Sequence, residues 1–380
     1  MYQLYFAERD TTLYEKFPEQ NTGIDPIIEL IKITSGSKLN GEIQSSTYNT
    51  RILLDFGSQI TDLTTAVTAG NIPPLGNANT SASVYLNLQA SVANDLPLTY
   101  TINAFPISES WDNGNGTYSD TPITKIGASW YYRDATDPGT TWDTGSAPSG
   151  GEPGVSVTTG GGTWMTGSGY EASQSFDNQS PDLRINVTDI VSKWVDGTIS
   201  NNGFIIKRKY SEEISGEILG TIKFFGRETH TIYVPRLEVA WNDAVLSGTG
   251  SFTEISANTY VPYFKNIKNE YRSSEKTMFR VGVRPEFPSK SYVTSSFYMS
   301  DERLPTSSYY SVRDAITDET IIPFDTSATQ VSCDSNGNYF RVNLNTFMPE
   351  RYYKILLKVE RTGGDDTQVH DNSYFFKVVK

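Results

Sequence analysis

The chain has 380 residues, a formal net charge of −13 and 12% aromatic residues, with 23 Tyr and 18 Phe. This length predicts two domains or three, and the acidic balance argues against nucleic-acid binding, which needs clusters of basic residues. No apolar run reaches the roughly 18 residues of a membrane span. The start of the chain, MYQLYFAERDTTLYEKF, lacks the basic-then-apolar pattern of a secretory signal.

Residues 1–242 are predicted to form one β-rich domain. Arg51–Phe56 has so little polar alternation that we expect a strand buried on both faces. Residues 145–169 are rich in Gly, Ser and Thr and predict a long surface loop, a place where contacts are often made. Apolar or alternating runs predict the other strands at Leu30–Thr34, Ser83–Gln89, Leu98–Phe105, Ile222–Phe225 and Leu237–Trp241.

One amphipathic helix stands out in this domain, after Asn186-Val187. Thr188 is expected to cap it, because a hydroxyl can accept from an unpaired N–H of the first turn. Ile190, Val191 and Trp194 follow at helical spacing on one face. Turn residues then lead into a strand at Phe204, so the stretch predicts strand, helix, turn and strand.

Residues 243–252 are predicted to be a linker, and residues 253–380 a second, smaller domain. Short strands at near-regular spacing favour an immunoglobulin-like β-sandwich. Cys333 is the only cysteine, so no intrachain disulfide is expected, and we interpret it as a small core residue. Strands are predicted at Thr277–Val283, Tyr292–Met299, Tyr309–Arg313, Tyr339–Leu344, Tyr352–Val359 and Tyr374–Val379.

A series of weak motifs runs in one order through most of residues 8–241. These are the opening Asp10–Tyr14 with Asn21-Thr22-Gly23, the strand Arg51–Phe56, Ile107–Trp111, Gly127–Arg133 with Thr141-Trp142, and the helix and strand from Val187 to Ile206. In this order they resemble the DNRLRE-type (disaggregatase-related) β-sandwich family. The resemblance implies an all-β fold, with an N-terminal jelly-roll-like β-sandwich that carries one short helix.

The chain departs from that family in two respects. The stretch between Asp143 and Ser175 is longer and richer in glycine. The start of the chain also lacks the pattern of a signal peptide, whereas family members usually follow one and lie on cell surfaces. The second domain, notably YYSVRDAITDETIIPFD and PERYYKILLKV, looks like structural proteins of large tailed phages. An acidic, tyrosine-rich all-β chain without an export signal also fits a protein that assembles inside its host.

These features favour a non-enzymatic structural component of a tailed-phage virion: a decoration, neck or collar, baseplate or fibre-attachment protein. Its expected partners are other virion proteins and copies of itself, and its expected location is the virion. The alternative is a carbohydrate-binding module or cell-surface adhesin that binds glycans. A third hypothesis is that the chain is a polysaccharide-active enzyme.

Aromatic residues supply the candidate contact sites. Trp194 is expected in the core beneath the helix, and Trp130 in a strand-like run, whereas packing and contact remain equally open for tryptophans in or beside the glycine-rich loop. The strand Tyr2–Phe6 could add to a partner's sheet edge or serve as an ordinary internal edge strand. The candidate contact residues are Trp142, Trp164, Tyr170, Tyr2, Tyr5 and Tyr374.

No residue pattern predicts catalysis, and no cofactor is expected. Glu109, Asp112 and Asp120 lie close in sequence, but a glycosidase pair is defined by geometry that sequence cannot supply. Calcium is the one candidate ion, at Asp112–Gly116; Asp334–Asn338 is more typical of a hairpin turn. Two histidines and one cysteine are too few for a zinc site, and the G-x-S-x-G motif of hydrolases is absent.

Two charged stretches near the end of the first domain are interpreted as solvent-exposed. Glu212 and Glu213 are predicted to lie at a hairpin tip. Lys207, Arg208 and Lys209 are predicted to form a solvated strand end, because charged side chains are rarely fully buried.

Overall fold

The structure is a computed structural model that describes residues 1–36, 38–39, 42–43, 47–78, 80–136, 139–142, 160–287, 302–361 and 366–380. The predicted strand Tyr292–Met299 and residues 145–159 of the predicted loop lie outside these residues. The described residues form an all-β fold, as predicted, with three α-helices. They divide into an N-terminal unit, Tyr5–Asn77 and Ser83–Glu238, and a C-terminal unit, Met1–Leu4, Ala78–Ala82 and Val239–Lys380.

Strands and helices are numbered along the chain. The first half contains β1 Tyr2–Phe6, β2 Arg9–Tyr14, β3 Ile27–Ile33, β4 Lys38–Leu39, β5 Glu42–Ile43, β6 Tyr48–Asp55, α1 Gly57–Thr68, β7 Ser83–Leu88, β8 Ala90–Asn94, β9 Thr99–Pro106, β10 Tyr132–Asp134, β11 Thr140–Thr141, β12 Ala172–Asp177, β13 Leu183–Asn186 and α2 Thr188–Val195. The second half contains β14 Phe204–Lys207, α3 Tyr210–Glu213, β15 Gly220–Phe225, β16 Arg236–Ala240, β17 Tyr260–Phe264, β18 Glu270–Arg272, β19 Lys276–Pro285, β20 Ser308–Asp314, β21 Thr320–Ile322, β22 Ser332–Asp334, β23 Gly337–Asn343, β24 Arg351–Arg361 and β25 Asp366–Val379. Two short 3₁₀ turns lie at Thr249–Ser251 and Leu344–Thr346.

An eight-stranded sheet dominates the N-terminal unit. Its strand order is β12-β9-β14-β6-β3-β15-β8, and β2 also pairs with β6. The central strand β6 is buried at every residue except Asn49, which confirms the expected burial on both faces. A single residue, Gln89, separates β7 from β8: β7 pairs with β13 while β8 pairs with β15, so the chain changes sheets there.

The predicted helix α2 is present, and it differs from the prediction at its first turn. Ile190, Val191 and Trp194 are buried as expected. The helix begins at Thr188, whose hydroxyl does not cap it but accepts from the Val84 N–H of β7 at 2.8 Å. This hydroxyl therefore ties the helix to the neighbouring strand.

Helix α1 was not predicted. Its sequence, GSQITDLTTAVT, is rich in Thr and buries only Ile60 and Leu63. Threonine has a low helix propensity, so the apolar pattern that marks a helix is weak here.

The C-terminal unit contains two sheets with an aromatic core. The orders are β17-β19-β23-β22 and β18-β25-β24-β20-β21. Phe279 of β19 lies 5.6 Å, centroid to centroid, from Phe376 of β25, and Tyr310 of β20 stacks on Phe340 of β23 at 4.2 Å. Cys333 is buried on β22, as predicted.

Candidate functional site

Four tryptophans lie in one core of the N-terminal unit. Trp142 and Trp164, two of the candidate contact residues, are each 1% exposed. The indole N–H of Trp142 donates to the Ser129 carbonyl at 2.9 Å. The structure therefore places both rings in packing positions. The buried cluster comprises Leu13, Leu53, Phe105, Ile107, Trp111, Ala128, Trp130, Trp142, Trp164 and Ile205.

A buried ion pair borders this aromatic core. Arg51 lies over the rings of Trp130 and Trp164, at 4.9 and 5.0 Å from their centroids. Its Nε and Nη2 donate to the two carboxylate oxygens of Glu213 at 3.1 and 2.8 Å. The Nζ of Lys207 lies 3.3 Å from the same carboxylate. Glu213 thus compensates two buried cations, an arrangement that suits structural stability.

These contacts overturn two sequence predictions. Lys207 and Arg208 are 0% and 1% exposed, so they are not a solvated strand end. Glu213 is 4% exposed and belongs to the short helix α3, so it is not at a hairpin tip. Burial lowers the pKa of Arg208 to about 10. The local sequence pattern missed this cluster because Glu213 faces inward from α3 toward Lys207 of β14 and toward Arg51, which is 162 positions away.

The four tyrosine candidates occupy different settings. Tyr2 and Tyr5 are buried on β1, and the Tyr2 hydroxyl lies 3.3 Å from the Asp325 carboxylate, to which it donates. Tyr170 is half-buried beneath the Lys193 ammonium, which lies 4.9 Å from the ring centroid. Tyr374 on β25 is half-buried against Phe264, edge to face at 4.6 Å.

The candidate calcium segment Asp112–Gly116 is held by protein groups. The Asn113 amide donates to the Gly23 carbonyl at 2.6 Å, and Asp112 is exposed. Among the described residues, no group of three or more His, Cys, Asp or Glu side chains could hold a metal ion. The segment Asp334–Asn338 contains the turn between β22 and β23, which confirms the hairpin interpretation.

In the N-terminal unit, the buried side chain of Asn21 holds two segments in place, one around Asn113 and one around Ala128. Its side-chain amide donates to the carbonyls of Asn113 and Ala128, both at 2.8 Å. Its side-chain oxygen accepts from the N–H groups of Gly23 and Gly116 at 3.1 and 2.8 Å. Gly114 has φ +73° and lies so close that a Cβ there would meet the Asn21 oxygen at 2.5 Å. Asn21 is 0% exposed, so a fully buried side chain holds both segments in place.

Apolar side chains project from the two braced segments. We call them the apolar loop surface: Ile24, Tyr118, Ile123, Ile126 and Tyr131, between 43% and 51% exposed. Backbone hydrogen bonds join the segments at Asn21–Thr124, Ile24–Gly116 and Tyr131–Pro18. Sequence reasoning missed this surface, although the run of Ile and Tyr between residues 118 and 131 was a visible signal.

Two carboxyl groups near this surface have raised pKa values. Burial raises the pKa of Asp10 to about 7, because its carboxylate is 1% exposed and its Oδ1 accepts no hydrogen bond from the described residues. Burial likewise raises the pKa of Asp25 to about 6. Such raised pKa values are common at active sites. The Asp10 carboxylate, however, is buried away from solvent, and its other oxygen accepts from the Arg227 N–H.

The carboxylates considered in the sequence as catalytic candidates have protein partners. Glu109 lies 3.7 Å from Arg133, and Asp120 accepts from Thr117 and Thr124.

Comparison of the chain with known protein families, curated proteins and solved structures finds no significant match. No helix in the described ranges is long and apolar enough to cross a membrane.

Proposed function

We propose that this chain is a non-enzymatic structural component of a tailed-phage virion, a decoration, neck or collar, baseplate or fibre-attachment protein that acts through protein–protein contacts. The observation that carries the contact role is the apolar loop surface, five half-exposed apolar side chains on segments braced by Asn21. Backbone hydrogen bonds join the segments that carry these side chains, and exposed apolar residues on neighbouring segments are typical of protein interfaces. A prebraced surface also loses little conformational entropy on binding. The virion assignment rests on the sequence resemblance of the second domain.

The charges around the apolar loop surface indicate which residue types to expect on its partner. Asp25 accepts from the Tyr118 N–H, Asp120 lies on the same segment, and Asp112 is exposed. Lys125 pairs with Glu19, which leaves the rim acidic. The partner is therefore expected to present apolar side chains with basic residues around them.

Mass spectrometry and cryo-electron microscopy of purified particles test the proposal. The chain should occupy symmetry-related positions, with Tyr131 and Ile126 against a neighbouring subunit. Tyr131→Ala should reduce incorporation, whereas Ile316→Ala, which removes another exposed apolar side chain (82%) in the C-terminal unit, should not. Absence from particles would overturn the virion role.

The glycan-binding alternative keeps one specific observation in its favour. Tyr118 and Tyr131 are 50% and 45% exposed. Aromatic rings that carry a polar hydroxyl suit binding surfaces that are partly apolar and partly in contact with water. Binding to a polysaccharide that is lost in both Tyr118→Ala and Tyr131→Ala, with the chain absent from particles, would favour this alternative.

A further inference from the structure

Lys207 of β14 and Asn103 of β9 are directly opposite each other on neighbouring strands of the eight-stranded sheet. Both side chains are 0% exposed. Because side chains alternate along a strand, Lys207 shares a face with Ile205, and Asn103 shares a face with Phe105. Ile205 and Phe105 are also opposite each other, and both belong to the buried tryptophan cluster. The lysine and the asparagine therefore lie on the same face of the sheet, where opposite residues have Cβ atoms about 4.5–5.5 Å apart.

The Lys207 side chain is one of two buried cations that share a single carboxylate. Its Nζ lies 3.3 Å from Glu213 Oε2, and Arg51 donates to both oxygens of the same carboxylate. An arginine side chain stays protonated in proteins, whereas a lysine in a buried site can lose its proton. Of the two cations, Lys207 is therefore the one that can become an uncharged amine, which is a nucleophile.

The side-chain amide of Asn103 is held at its nitrogen and open at its oxygen. Nδ2 donates to Glu171 Oε1 at 3.1 Å, whereas the buried Oδ1 accepts no hydrogen bond from the described residues. A buried polar atom without a partner is rare and needs an explanation. The centroids of the Phe105 and Trp164 rings lie 5.8 and 4.9 Å from Lys207 Nζ. These rings limit the access of water, which would otherwise compete for the amide carbon.

We propose that Lys207 and Asn103 form an isopeptide bond within the chain, with Glu213 as the proton carrier. Lys207 Nζ attacks Cγ of Asn103 with its lone pair, and the Cγ–Nδ2 bond breaks. Glu213 accepts a proton from Nζ and donates it to Nδ2, which leaves as ammonia. The step consumes no oxidant, reductant or second substrate. In the structure Nζ donates to the Arg208 carbonyl at 2.8 Å, so rotation about the lysine side-chain bonds precedes the attack.

An exposed pair of the same kind provides an internal comparison. Lys276 of β19 is directly opposite Asn343 of β23. Lys276 is exposed, and a lysine in water is protonated at neutral pH, so its nitrogen has no lone pair for attack. We therefore expect the buried pair to react and the exposed pair to remain unlinked.

The bond would tie β9 to β14 and close a loop of the chain between positions 103 and 207. A covalent link that closes a long loop restricts the unfolded chain and so opposes unfolding. The site lies inside the N-terminal unit and is separate from the apolar loop surface. The inference therefore does not depend on the proposed virion role.

Mass spectrometry of the purified, folded full chain tests the bond. The wild type should weigh less than the mass calculated from its sequence by one ammonia, and protease digestion should yield the segments around Asn103 and Lys207 joined together. Lys207→Arg and Asn103→Ala should each have their full calculated mass. Glu213→Gln, which keeps both reacting residues, should also have its full mass. The matched control is Lys276→Arg, which should show the same loss of ammonia as the wild type.

The mass of the wild type decides the question, so the test does not require every variant to fold. A folded wild type that keeps its full calculated mass after prolonged incubation overturns the proposal. A loss of ammonia that maps to Asn103 alone, with no link to Lys207, also overturns it. Melting curves show whether Glu213→Gln is folded, and a bond that forms normally in the folded variant would rule out Glu213 as the proton carrier.

Discussion

Arg51 and Glu213, 162 positions apart in the sequence, form a buried bidentate ion pair with donor–acceptor distances of 3.1 and 2.8 Å. The pair joins the central strand β6 to the short helix α3. The Arg51 Nη1 also donates to the Gly161 carbonyl at 2.7 Å, which ties in the segment that precedes Trp164. One guanidinium thus connects three distant parts of the chain beside the tryptophan core.

Removing the acid of this pair should destabilise the N-terminal unit. Glu213→Gln leaves Arg51 and Lys207 buried without their carboxylate, so we expect a loss of about 3–5 kcal/mol in the free energy of unfolding. Urea denaturation measures it. Glu19→Gln, which breaks the exposed pair with Lys125, is the control and should cost less than about 1 kcal/mol. Equal losses in the two variants would contradict a structural role for the buried pair.

The two buried candidate tryptophans should behave as core residues. Trp142→Ala and Trp164→Ala should each lower the free energy of unfolding by about 3–5 kcal/mol, because they leave large cavities. Tyr131→Ala, on the apolar loop surface, should change it by less than about 1 kcal/mol. Thermal and urea unfolding measure all three. Folded, stable tryptophan variants that lose a binding partner would instead indicate a contact role.

The local sequence pattern predicted those features of the fold that depend only on residues close together in the sequence. The two-sided burial of Arg51–Phe56 and the apolar face of α2 follow from the spacing of apolar residues, and the structure has both. The turn after Asp334 was likewise evident from its Asn and Gly residues. Each of these features is decided within one strand, helix or turn.

Features that depend on contacts between separate strands, helices and turns could not be predicted in this way. Lys207 and Arg208 looked solvated because charged residues rarely lie in a core without partners. Their burial depends on Glu213 and on the Leu219 carbonyl, which accepts from Arg208 at 2.7 Å. Asn21 was noted in the sequence only as part of the Asn21-Thr22-Gly23 motif, and its bracing contacts form only when the segment around Asn113 folds over it.

Asn21→Ala should loosen the apolar loop surface. The change removes the acceptor of two N–H groups and the donor to two carbonyls at a fully buried site, so we expect a loss of about 2–4 kcal/mol. Hydrogen exchange should speed up around Gly116 and Ala128. The control is Asn115→Ala, an exposed residue of the same segment, which should leave stability and exchange unchanged. Unchanged exchange in Asn21→Ala would show that the surface does not need this brace.

Asp10 should make the stability of the chain depend on pH. Burial raises its pKa to about 7 in the folded chain, from an ordinary value of 3.8. Between about pH 4 and pH 7 the folded state therefore keeps a proton that the unfolded state has released, so this group's contribution to stability falls as pH rises. Glu228 and Asp25 raise the pKa further and Arg227 lowers it. Asp25, with a pKa of about 6, acts in the same direction.

Asp10→Asn replaces this carboxyl by a neutral group of the same shape. Relative to wild type, the variant should gain stability progressively from pH 4 to pH 7, by at most about 3–4 kcal/mol at neutral pH. Melting temperatures across this pH range measure the difference. In Asp10→Asn, a smaller dependence of the melting temperature on pH should remain because of Asp25. Asp112→Asn, at an exposed carboxylate, should follow the wild-type curve. Parallel curves for wild type and Asp10→Asn would mean that Asp10 is ionised in the folded chain throughout this range.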